Sequence, residues 1–486
     1  MISRTEHDSL GMKQVPGEVY YGVQTLRAVE NFRVTGTLLS HYPLLIRALG
    51  SVKEAAALTN RELGILDPGI ADAIVSAARE VQANRLDEHF VVDVIQGGAG
   101  TSTNMNANEV IANRALELLG HDRGEYRYCH PNNHVNLSQS TNDVYPTAVK
   151  IASVAHIQTL LGAMQHLRVS LETKGREFAS VIKMGRTQLQ DAVPMTLGQE
   201  FDAYAVTIGE DIDRLTEASR LLHEINLGAT AIGTGINAPP GYVSAVCKKL
   251  RAITGLPLET SPNLVEATSD AGVFVQVSGV LKRIAVKLSK LCNDLRLLSS
   301  GPRTGLNEIN LPAVQPGSTI MPGKVNPVIP EVVNQICFQV MGNDMTITLA
   351  AQAGQLELNA FEPVIGANLF QSIQILERGC RTLAVACIDG ITANVDRCRD
   401  MVEDSIGIVT ALVPYIGYDA AAELAGEALQ SGERVLSLLR KKRLLSEQVL
   451  TEILDPQKMT HPRSVPFAAP ARVDSTVADG PRKDLT

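Results

Sequence analysis

The sequence predicts an all-α protein organised around a bundle of long helices. Of its 486 residues, 45% are hydrophobic but only 4% are aromatic, and there is no tryptophan. Aliphatic side chains must therefore form most of the core, which suits layers of helices packed on one another. One proline-free stretch also carries apolar residues every three or four positions, the spacing of a single helix face: Val277, Val280, Leu281, Ile284, Leu288, Leu291, Leu295 and Leu298.

Five stretches are long enough to form the helices of one bundle. They cover residues 145–178, 196–226, 262–302, 328–360 and 363–391. The third is predicted to contain a helix of about 35 residues, because no proline falls between Pro262 and Pro302. Helices of that length bury their apolar faces only when they lie side by side. We therefore predict a central bundle domain over residues 140–396, with weak strand signals throughout the chain.

Shorter helices are predicted on either side of the bundle. In an N-terminal domain, residues 1–139, we expect helices at 41–63, at 68–83 and at 108–119. Residues 397–461 are predicted to form a small C-terminal helical domain. The last stretch, 462–486, is rich in alanine and proline with hardly any large apolar side chains, so we expect a disordered tail.

Composition and spacing exclude several classes of partner. The formal net charge is −8, and the one basic run, residues 440–443, is expected to close the last turn of a helix, so no nucleic-acid partner is predicted. The seven cysteines form no C-x-x-C pair, which indicates free thiols in a reducing cytoplasm. No apolar segment is long enough to span a membrane. No His, Cys and Asp residues have metal-ligand spacing, and neither a metal nor a cofactor is predicted.

Four polar stretches interrupt the helical pattern. They are Gly97–Glu109, His134–Ala148, Lys183–Glu200 and Gly317–Pro327. Each is dense in hydroxyl and amide side chains and adjoins the start of a predicted helix, where free N–H groups favour an anion.

Taken singly, such stretches are usually caps and turns; Thr141 or Asn142 would cap a helix that begins near Tyr145. Taken together, the four stretches offer many neutral donors and a few cations. The cations are Lys183, Arg186 and Lys324. Such a set suits a small dicarboxylate, held by hydroxyl and amide groups with a cation for charge.

The fourth stretch reads GSTIMPGKVNP and resembles the signature loop G-S-x-x-M-P-x-K-x-N-P of the aspartase/fumarase superfamily. The resemblance extends from Tyr20–Phe32 to Ile453–Pro462, and the segments NPVIPEVVNQICFQVMGND and AGQLELNAFEPVIG are similar to the aspartase branch. It implies an all-α, three-domain subunit in a homotetramer. The tetramer core would be a bundle of twenty helices, five from each subunit, and each active site would be assembled from three subunits.

The chemistry that the resemblance implies is the anti elimination of ammonia from L-aspartate to give fumarate, through an aci-carboxylate intermediate. Ser318 would be the general base, carried on a mobile loop with Gly317, Met321, Pro322 and Gly323. Backbone N–H groups and Lys324 would have to lower the pKa of its hydroxyl strongly.

The remaining roles also follow from the resemblance. The hydroxyls for the β-carboxylate would be Thr101, Ser140, Thr141 and Thr319. The α-carboxylate would be held by Lys324, Asn326 and Thr187. Asn142, again with Thr101, would orient the amino group.

Gln188 stands where fumarases carry a histidine that works with a glutamate to activate water. The glutamate is present as Glu331, but its partner is replaced. A glutamine still forms hydrogen bonds to an amino group or a carboxylate. Fumarate hydratase is therefore the nearest alternative function, and Gln188 is an argument against it.

A more distant alternative is a non-enzymatic structural protein, because lyases of this superfamily have been recruited as lens crystallins. Intact Ser318, Lys324 and Asn326 argue against it. A further motif, His130 with Asn132 and Asn133, resembles an accessory dicarboxylate site of fumarases and is equally compatible with a turn.

Overall fold

The computed structural model describes residues 3–453 and 455–462, and helices dominate them. The chain divides into two compact units. The first comprises Met1–Arg168, Val206–Asn293 and Val328–Val385, and the second comprises Val169–Ala205, Asp294–Pro327 and Ala386–Thr486. The three-domain boundaries stay a prediction, and the expected tail lies from residue 463 onward outside the described residues. No helix within the described ranges is long and apolar enough to cross a membrane.

The N-terminal part of the first unit confirms two predicted helices. The elements are β1 (Ser3–Asp8), β2 (Gly11–Pro16), α1 (Val23–Asn31), α2 (Pro43–Glu62), α3 (Pro68–Gln82) and α4 (Thr101–Leu118). Helix α3 starts as expected, because the Asp67 carboxylate accepts the N–H groups of Gly69 and Ile70 and a proline occupies the first helical position.

Helix α4 departs from the prediction, since it begins at Thr101 and not at Asn108. Gly100, in the left-handed conformation with φ of +91°, forms its N-cap, and residues 101–109 of the polar stretch Gly97–Glu109 are helical. The antiparallel β1–β2 hairpin was not predicted either.

All five predicted long helices are present. The remaining elements, in chain order, are α5 (Thr141–Glu177), β3 (Ile182–Thr187), β4 (Gln190–Thr196), α6 (Leu197–Ser219), β5 (Glu224–Ile225), α7 (Tyr242–Thr254), β6 (Glu259–Thr260), α8 (Leu264–Ser269), α9 (Gly272–Leu298), β7 (Ile309–Asn310), α10 (Val328–Gln352), α11 (Glu362–Ala386), β8 (Thr392–Ala393), α12 (Val395–Asp404), α13 (Val409–Ile416), α14 (Tyr418–Ser431), α15 (Val435–Lys442), α16 (Glu447–Ile453) and α17 (Pro456–Met459). Helix α9 has 27 residues and is shorter than expected, because the separate helix α8, capped by Asn263, precedes it.

Polar side chains tie the bundle helices of the first unit together inside an aliphatic core. Asp344 of α10 accepts hydrogen bonds from Ser278 and Lys282 of α9 at 2.8 and 2.6 Å. The adjacent residue Asn343 links α10 to α11, since its amide donates to Ser372 Oγ at 3.0 Å. Helix α10 therefore packs against both α9 and α11.

The second unit has its own apolar core. Its strands β3 and β4 form an antiparallel hairpin, and Ile182 and Met184 of β3 are buried together with residues of the C-terminal helices such as Leu412, Leu424 and Leu439. The predicted C-terminal helical region is thus helical over the residues that the structure describes. The hairpin carries Thr187 and Gln188, two of the predicted site residues, at its turn.

Candidate active site

The structure brings the starts of α4 and α5 together in the first unit. Thr101 and Thr141 are the first residues of these two helices. A Cβ at Gly100 would lie 2.5 Å from the ring of Tyr145, so only glycine allows α4 to approach α5 this closely. We call Thr101, Ser140, Thr141 and Asn142 the hydroxyl cluster, after its most common group.

Two members of the hydroxyl cluster present hydrogen-bond acceptors. The Thr101 hydroxyl donates to the Gly98 carbonyl at 2.8 Å, which leaves the oxygen lone pairs of that hydroxyl as acceptors. The Asn142 amide donates to the Ala231 carbonyl at 2.7 Å, which leaves its Oδ1. Acceptors of this kind suit an ammonium group, which only donates.

The other two members present donors. Ser140 Oγ accepts the N–H of Asn142 at 3.3 Å, and Thr141 Oγ1 accepts from the amide of Asn104 at 3.0 Å. A hydroxyl that accepts from the protein keeps its own hydrogen for another partner. Ser140 and Thr141 therefore suit a carboxylate, and the cluster is divided by polarity into an acceptor pair and a donor pair.

A buried carboxylate fixes the chain on both sides of this cluster. Asp143 accepts the N–H groups of Ser140 at 3.0 Å, of Gly228 at 3.0 Å and of Thr230 at 2.9 Å. Burial raises the pKa of Asp143 to about 7, although the three N–H bonds and Lys53 oppose the rise. The first turn of α5 is thus held to the segment around residue 230.

Beneath the donor pair lies Lys53 of α2, which is fully buried. Its ammonium donates to three amide oxygens, those of Asn104 at 2.7 Å, Asn136 at 3.0 Å and Gln139 at 2.9 Å. Burial lowers the pKa of Lys53 to about 7, and the charge of Asp143 opposes that change.

Sequence reasoning missed Lys53. Its neighbours Val52, Ala55 and Ala56 are all buried, so that the lysine lies in a helix with buried residues all around it. A lysine within such an apolar run is the signal that could have identified it, because lysine is almost never fully buried without partners.

The signature loop in the second unit surrounds Ser318. Ser318 Oγ accepts the backbone N–H groups of Ile320 at 3.2 Å and Met321 at 3.0 Å. Hydrogen bonds to an oxygen favour its ionised form, which is the change that a serine base needs. The Ser318 side chain is half-buried, so that desolvation opposes this effect only in part.

The loop is closed on itself. The N–H of Gly317 donates to the Lys324 carbonyl at 2.8 Å, and the Asn326 amide donates to the Gly317 carbonyl at 2.6 Å. A Cβ at Gly317 would lie 2.6 Å from the Lys324 oxygen, so a larger residue would open this closure. Gly323, with φ of +81°, provides the left-handed turn inside it.

The loop's predicted binding groups face solvent. Thr319, Pro322 and Lys324 are exposed. Lys324 and Asn326 line a cleft of about 510 Å³ in the second unit. The cleft is therefore large enough for a small dicarboxylate.

Thr187 and Gln188 lie at the exposed turn of the β3–β4 hairpin. Gln188 and Leu189 have φ of 54° and 63°, which is the conformation of a two-residue hairpin turn that glycine and asparagine normally occupy. Backbone strain of this kind concentrates at functional sites.

Two of the three candidate cations lie beside this turn and pair with protein carboxylates. Lys183 and Arg186 contact the fully buried Glu308 at 2.8 and 2.5 Å, so neither is the one cation expected to serve a ligand. Lys183 also pairs with Glu200 at 2.6 Å. These cations neutralise buried carboxylates and fix strand β3 in place.

His130 caps a short π-helix, Pro131–Val135, and also lines a cleft. His130 Nδ1 accepts the N–H groups of Asn132 at 3.0 Å and Asn133 at 3.3 Å. His130 and Asn132 line a cleft of about 650 Å³ together with Arg27. Among residues 3–453 and 455–462, no group of three or more His, Cys, Asp and Glu residues is arranged to hold a metal ion.

Two family models match the chain. The model described as Lyase matches residues 11–342, and the model described as Fumarase C C-terminus matches residues 408–461. Proteins named aspartate ammonia-lyase from Pseudomonas aeruginosa, Helicobacter pylori and Escherichia coli are 60%, 56% and 52% identical to this chain. The alignments cover 96%, 95% and 94% of this chain and 99%, 98% and 96% of the relatives.

Two solved structures share the fold. A fumarate lyase:delta crystallin from Brucella melitensis, solved bound to cobalt, has a TM-score of 0.93 and 57% identity. A class II fumarase from Schistosoma mansoni has a TM-score of 0.90 and 37% identity. Both comparisons cover 95% of this chain and 100% of the other. The similarity seen in the sequence therefore extends over nearly the whole chain.

Proposed function

We propose that this chain, which belongs to the lyase family of aspartases and fumarases, is an aspartate ammonia-lyase that converts L-aspartate into fumarate and ammonia. One observation carries the proposal: an acceptor pair, Thr101 and Asn142, lies in the same cluster as a donor pair, Ser140 and Thr141. An amino acid with a side-chain carboxylate needs both polarities. Gln188 supports the ammonia-lyase over the hydratase, since the water-activating histidine is absent at that position.

In the proposed mechanism Ser318 removes a proton from the carbon next to the β-carboxylate. The electron pair of the broken C–H bond moves into that carboxylate, which becomes a doubly charged aci-carboxylate. When the pair returns, the C–N bond on the neighbouring carbon breaks on the opposite face and ammonia leaves. The N–H groups of Ile320 and Met321, which donate to Ser318 Oγ, stabilise the ionised base, and Lys324 of the same loop is assigned to add positive charge.

The donors stabilise the intermediate more than the substrate. Ser140, Thr141 and Thr319 are assigned to the β-carboxylate, where negative charge develops, and a single donor at such a position is typically worth about 10²–10³ in rate. The donors of the hydroxyl cluster are already oriented by the protein, so little reorganisation is needed when the charge appears.

The other assignments hold the substrate in position. Lys324, Asn326 and Thr187 bind the α-carboxylate, and Thr101 and Asn142 accept hydrogen bonds from the amino group. Thr101 thus serves the amino group in the conformation described here. A rotation of its hydroxyl away from Gly98 would let it also donate to the β-carboxylate.

The test is the ultraviolet detection of fumarate from purified protein supplied separately with L-aspartate and with L-malate. We expect fumarate from L-aspartate alone. Fumarate from L-malate alone would establish the hydratase instead, working without its histidine. Silence with both substrates would favour the structural protein of the same fold.

We also propose a homotetramer whose active sites are shared between subunits. One face of α10 supports this, because Phe338, Met345 and Leu349 are 60%, 60% and 57% exposed along it. A long apolar stripe of this kind is unusual on a monomer. A second copy of the same bundle, packed helix on helix, would cover it.

Subunit mixing tests the shared site. Ser318→Ala and Thr141→Val variants are each expected to be nearly inactive, and tetramers reassembled from both are expected to regain part of the activity. Mixing without recovery would place each site within one subunit. Light scattering on the wild type gives the number of subunits directly.

The proposed domains are residues 1–139, 140–396 and 397–461, and the proposed location is the cytoplasm. All seven cysteines are buried free thiols, as is usual in a reducing compartment. Limited proteolysis at the proposed boundaries tests the domain division.

A further inference from the structure

We infer that Lys53 and Asn104 are positioning residues of the elimination: they orient the hydroxyl of Thr141 so that it donates to the substrate's β-carboxylate. Neither residue is assigned to the substrate itself, and both act through Thr141. The inference rests on the proposed function, because the β-carboxylate is the group that Thr141 is proposed to bind.

Lys53 determines which side-chain atoms its neighbours turn toward it. An ammonium has three donors and no acceptor. Its partners at 2.7–3.0 Å, Asn104, Asn136 and Gln139, must therefore all present oxygens to it. Lys53 is fully buried, so water cannot replace any of these partners.

The orientation of the Asn104 amide in turn determines which atom faces Thr141. Because its Oδ1 faces Lys53, its Nδ2 faces the other way and donates to Thr141 Oγ1 at 3.0 Å and to Asn136 Oδ1 at 3.1 Å. A flip of this amide would set an N–H group against the ammonium. Asn104 is 1% exposed, and both the oxygen and the nitrogen of its side-chain amide form hydrogen bonds.

The hydroxyl hydrogen of Thr141 is not used by Asn104. Within residues 3–453 and 455–462, the hydrogen bond recorded for Thr141 Oγ1 is the one that it accepts from Asn104. The hydroxyl hydrogen is therefore left for a partner outside this network. An orientation set before the substrate arrives costs no reorganisation when charge develops.

The chain Lys53–Asn104–Thr141 also carries charge toward the oxyanion. An ammonium polarises the amide that accepts from it, and a polarised amide donates a stronger hydrogen bond in turn. In this way a cation that never contacts the substrate stabilises negative charge on it.

The decisive variant is Asn104→Asp, which keeps the shape of the side chain and reverses one hydrogen bond. One carboxylate oxygen would accept from Lys53, and the other would accept from the Thr141 hydroxyl, which then points away from the substrate. We expect kcat for L-aspartate to fall about 100-fold, the usual effect of losing one oxyanion donor. The new charge pairs with Lys53, so the melting temperature should not fall.

The matched control is Asn108→Asp, one turn later on α4. Asn108 also donates to Asn136 Oδ1, at 3.2 Å, and is also fully buried, but within the described part of the chain its hydrogen bonds do not involve Thr141. The control tests whether any new buried carboxylate in this network lowers kcat. We expect Asn108→Asp to lower the melting temperature more than Asn104→Asp does and to change kcat less than threefold.

A double-mutant cycle then isolates the route through Thr141. In a Thr141→Val background, where the hydroxyl is gone, Asn104→Asp should change kcat by less than about threefold. A full 100-fold loss in that background would overturn the inference, and so would wild-type kcat in the single variant.

Neutron diffraction of the deuterated wild-type protein gives an answer that needs neither folding of a variant nor turnover. We expect deuterium on Asn104 Nδ2 directed at Thr141 Oγ1, with the Thr141 hydroxyl deuterium directed elsewhere. The opposite arrangement would refute the inference even in an active enzyme. Conversely, a wild type that releases no fumarate refutes the proposed function, whatever the neutron map shows.

Discussion

The hydroxyl cluster of the first unit and the signature loop of the second hold the same kinds of group in opposite ways. In the cluster, the Thr141 hydroxyl is oriented by buried side chains, Lys53 acting through Asn104. In the loop, the orienting groups are the loop's own backbone N–H groups, and Lys324 is exposed. The orientation of groups in the cluster thus depends on residues distant in the sequence, whereas the orientation of groups in the loop depends on the loop itself.

This difference has a functional meaning. Groups that stabilise the charged intermediate gain most from a rigid, dry setting, because oriented dipoles act more strongly there. A base and a group that capture the substrate must instead open to admit it. We therefore expect mutations in the hydroxyl cluster network to lower stability, and mutations in the signature loop to lower activity with little change in stability.

Ser318→Ala should have the largest effect. We expect kcat to fall by about 10²–10⁴, the contribution typical of a general base, with an unchanged melting temperature because the half-buried Ser318 hydroxyl accepts its hydrogen bonds from its own loop. Steady-state kinetics and thermal unfolding measure the two quantities. Ser244→Ala, on the exposed start of α7, is the control and should leave both unchanged. Full turnover by Ser318→Ala would remove the serine from the role of base.

Two lysine variants give the next largest contrast. Lys53→Met should lower the free energy of unfolding by about 3 kcal/mol, since it deprives three buried amide oxygens of their donor. Lys324→Met should leave stability within about 0.5 kcal/mol, because its side chain is exposed.

For substrate binding, we expect the larger effect in Lys324→Met and the smaller effect in Lys53→Met. Lys324→Met should raise KM about tenfold or more, the usual effect of losing a charge-assisted hydrogen bond. Urea unfolding measures the stability of both lysine variants, and initial rates measure their KM. Equal loss of stability in both variants would contradict the distinction between the two regions.

A comparison of Glu362 with Asp143 asks whether burial or a lack of hydrogen-bond partners makes a buried carboxylate destabilising. Unlike Asp143, which three N–H groups satisfy, it has a buried oxygen, Oε2, without a hydrogen bond among the described residues. Burial raises the pKa of Glu362 to about 8, against the attraction of Lys150. A raised carboxyl pKa stabilises the fold at low pH, and that stability is lost as pH rises through about 8.

Glu362→Gln should therefore be more stable than the wild type at pH 9, by about 1–3 kcal/mol, and should lose this advantage at pH 5. Chemical unfolding at the two pH values measures it. A constant difference between the two variants across this range would show that Glu362 does not titrate there.

The β3–β4 turn offers the mildest test. Leu189 has φ of 63° and is 72% exposed, so its backbone conformation is strained while its side chain contributes little to packing. Leu189→Gly should raise the free energy of unfolding by up to about 1 kcal/mol. Thermal unfolding measures it, and a lower melting temperature would show that the leucine side chain is held by a partner.

The sequence predicted the long helices because their signal is repeated over many turns. Helix α3 was predicted closely, since Asp67 and a following proline form a strong start signal. Helix α4 was predicted to start seven residues late because its first two turns are made of Thr, Ser and Asn, which locally favour caps over helix. Tertiary contacts of those side chains override that preference.

The site was predictable where residue types and their order carry the information. The loop around Ser318 follows from its motif, whereas the pairing of Lys183 and Arg186 with Glu308 depends on a partner more than a hundred residues away. The orientation of Thr141 likewise depends on Lys53, on another helix. Long-range partners of this kind leave no local pattern.

The closed form of the signature loop has a consequence for catalytic speed. Because the hydrogen bonds from Gly317 and Asn326 tie its two ends together, we expect the loop to move as one body about its flanking residues. Ordering a free segment of this length would cost about 1–2 kcal/mol for each residue at every binding event. A tied loop has already lost most of that entropy during folding. Its opening and closing can therefore be fast without making the bound state loose.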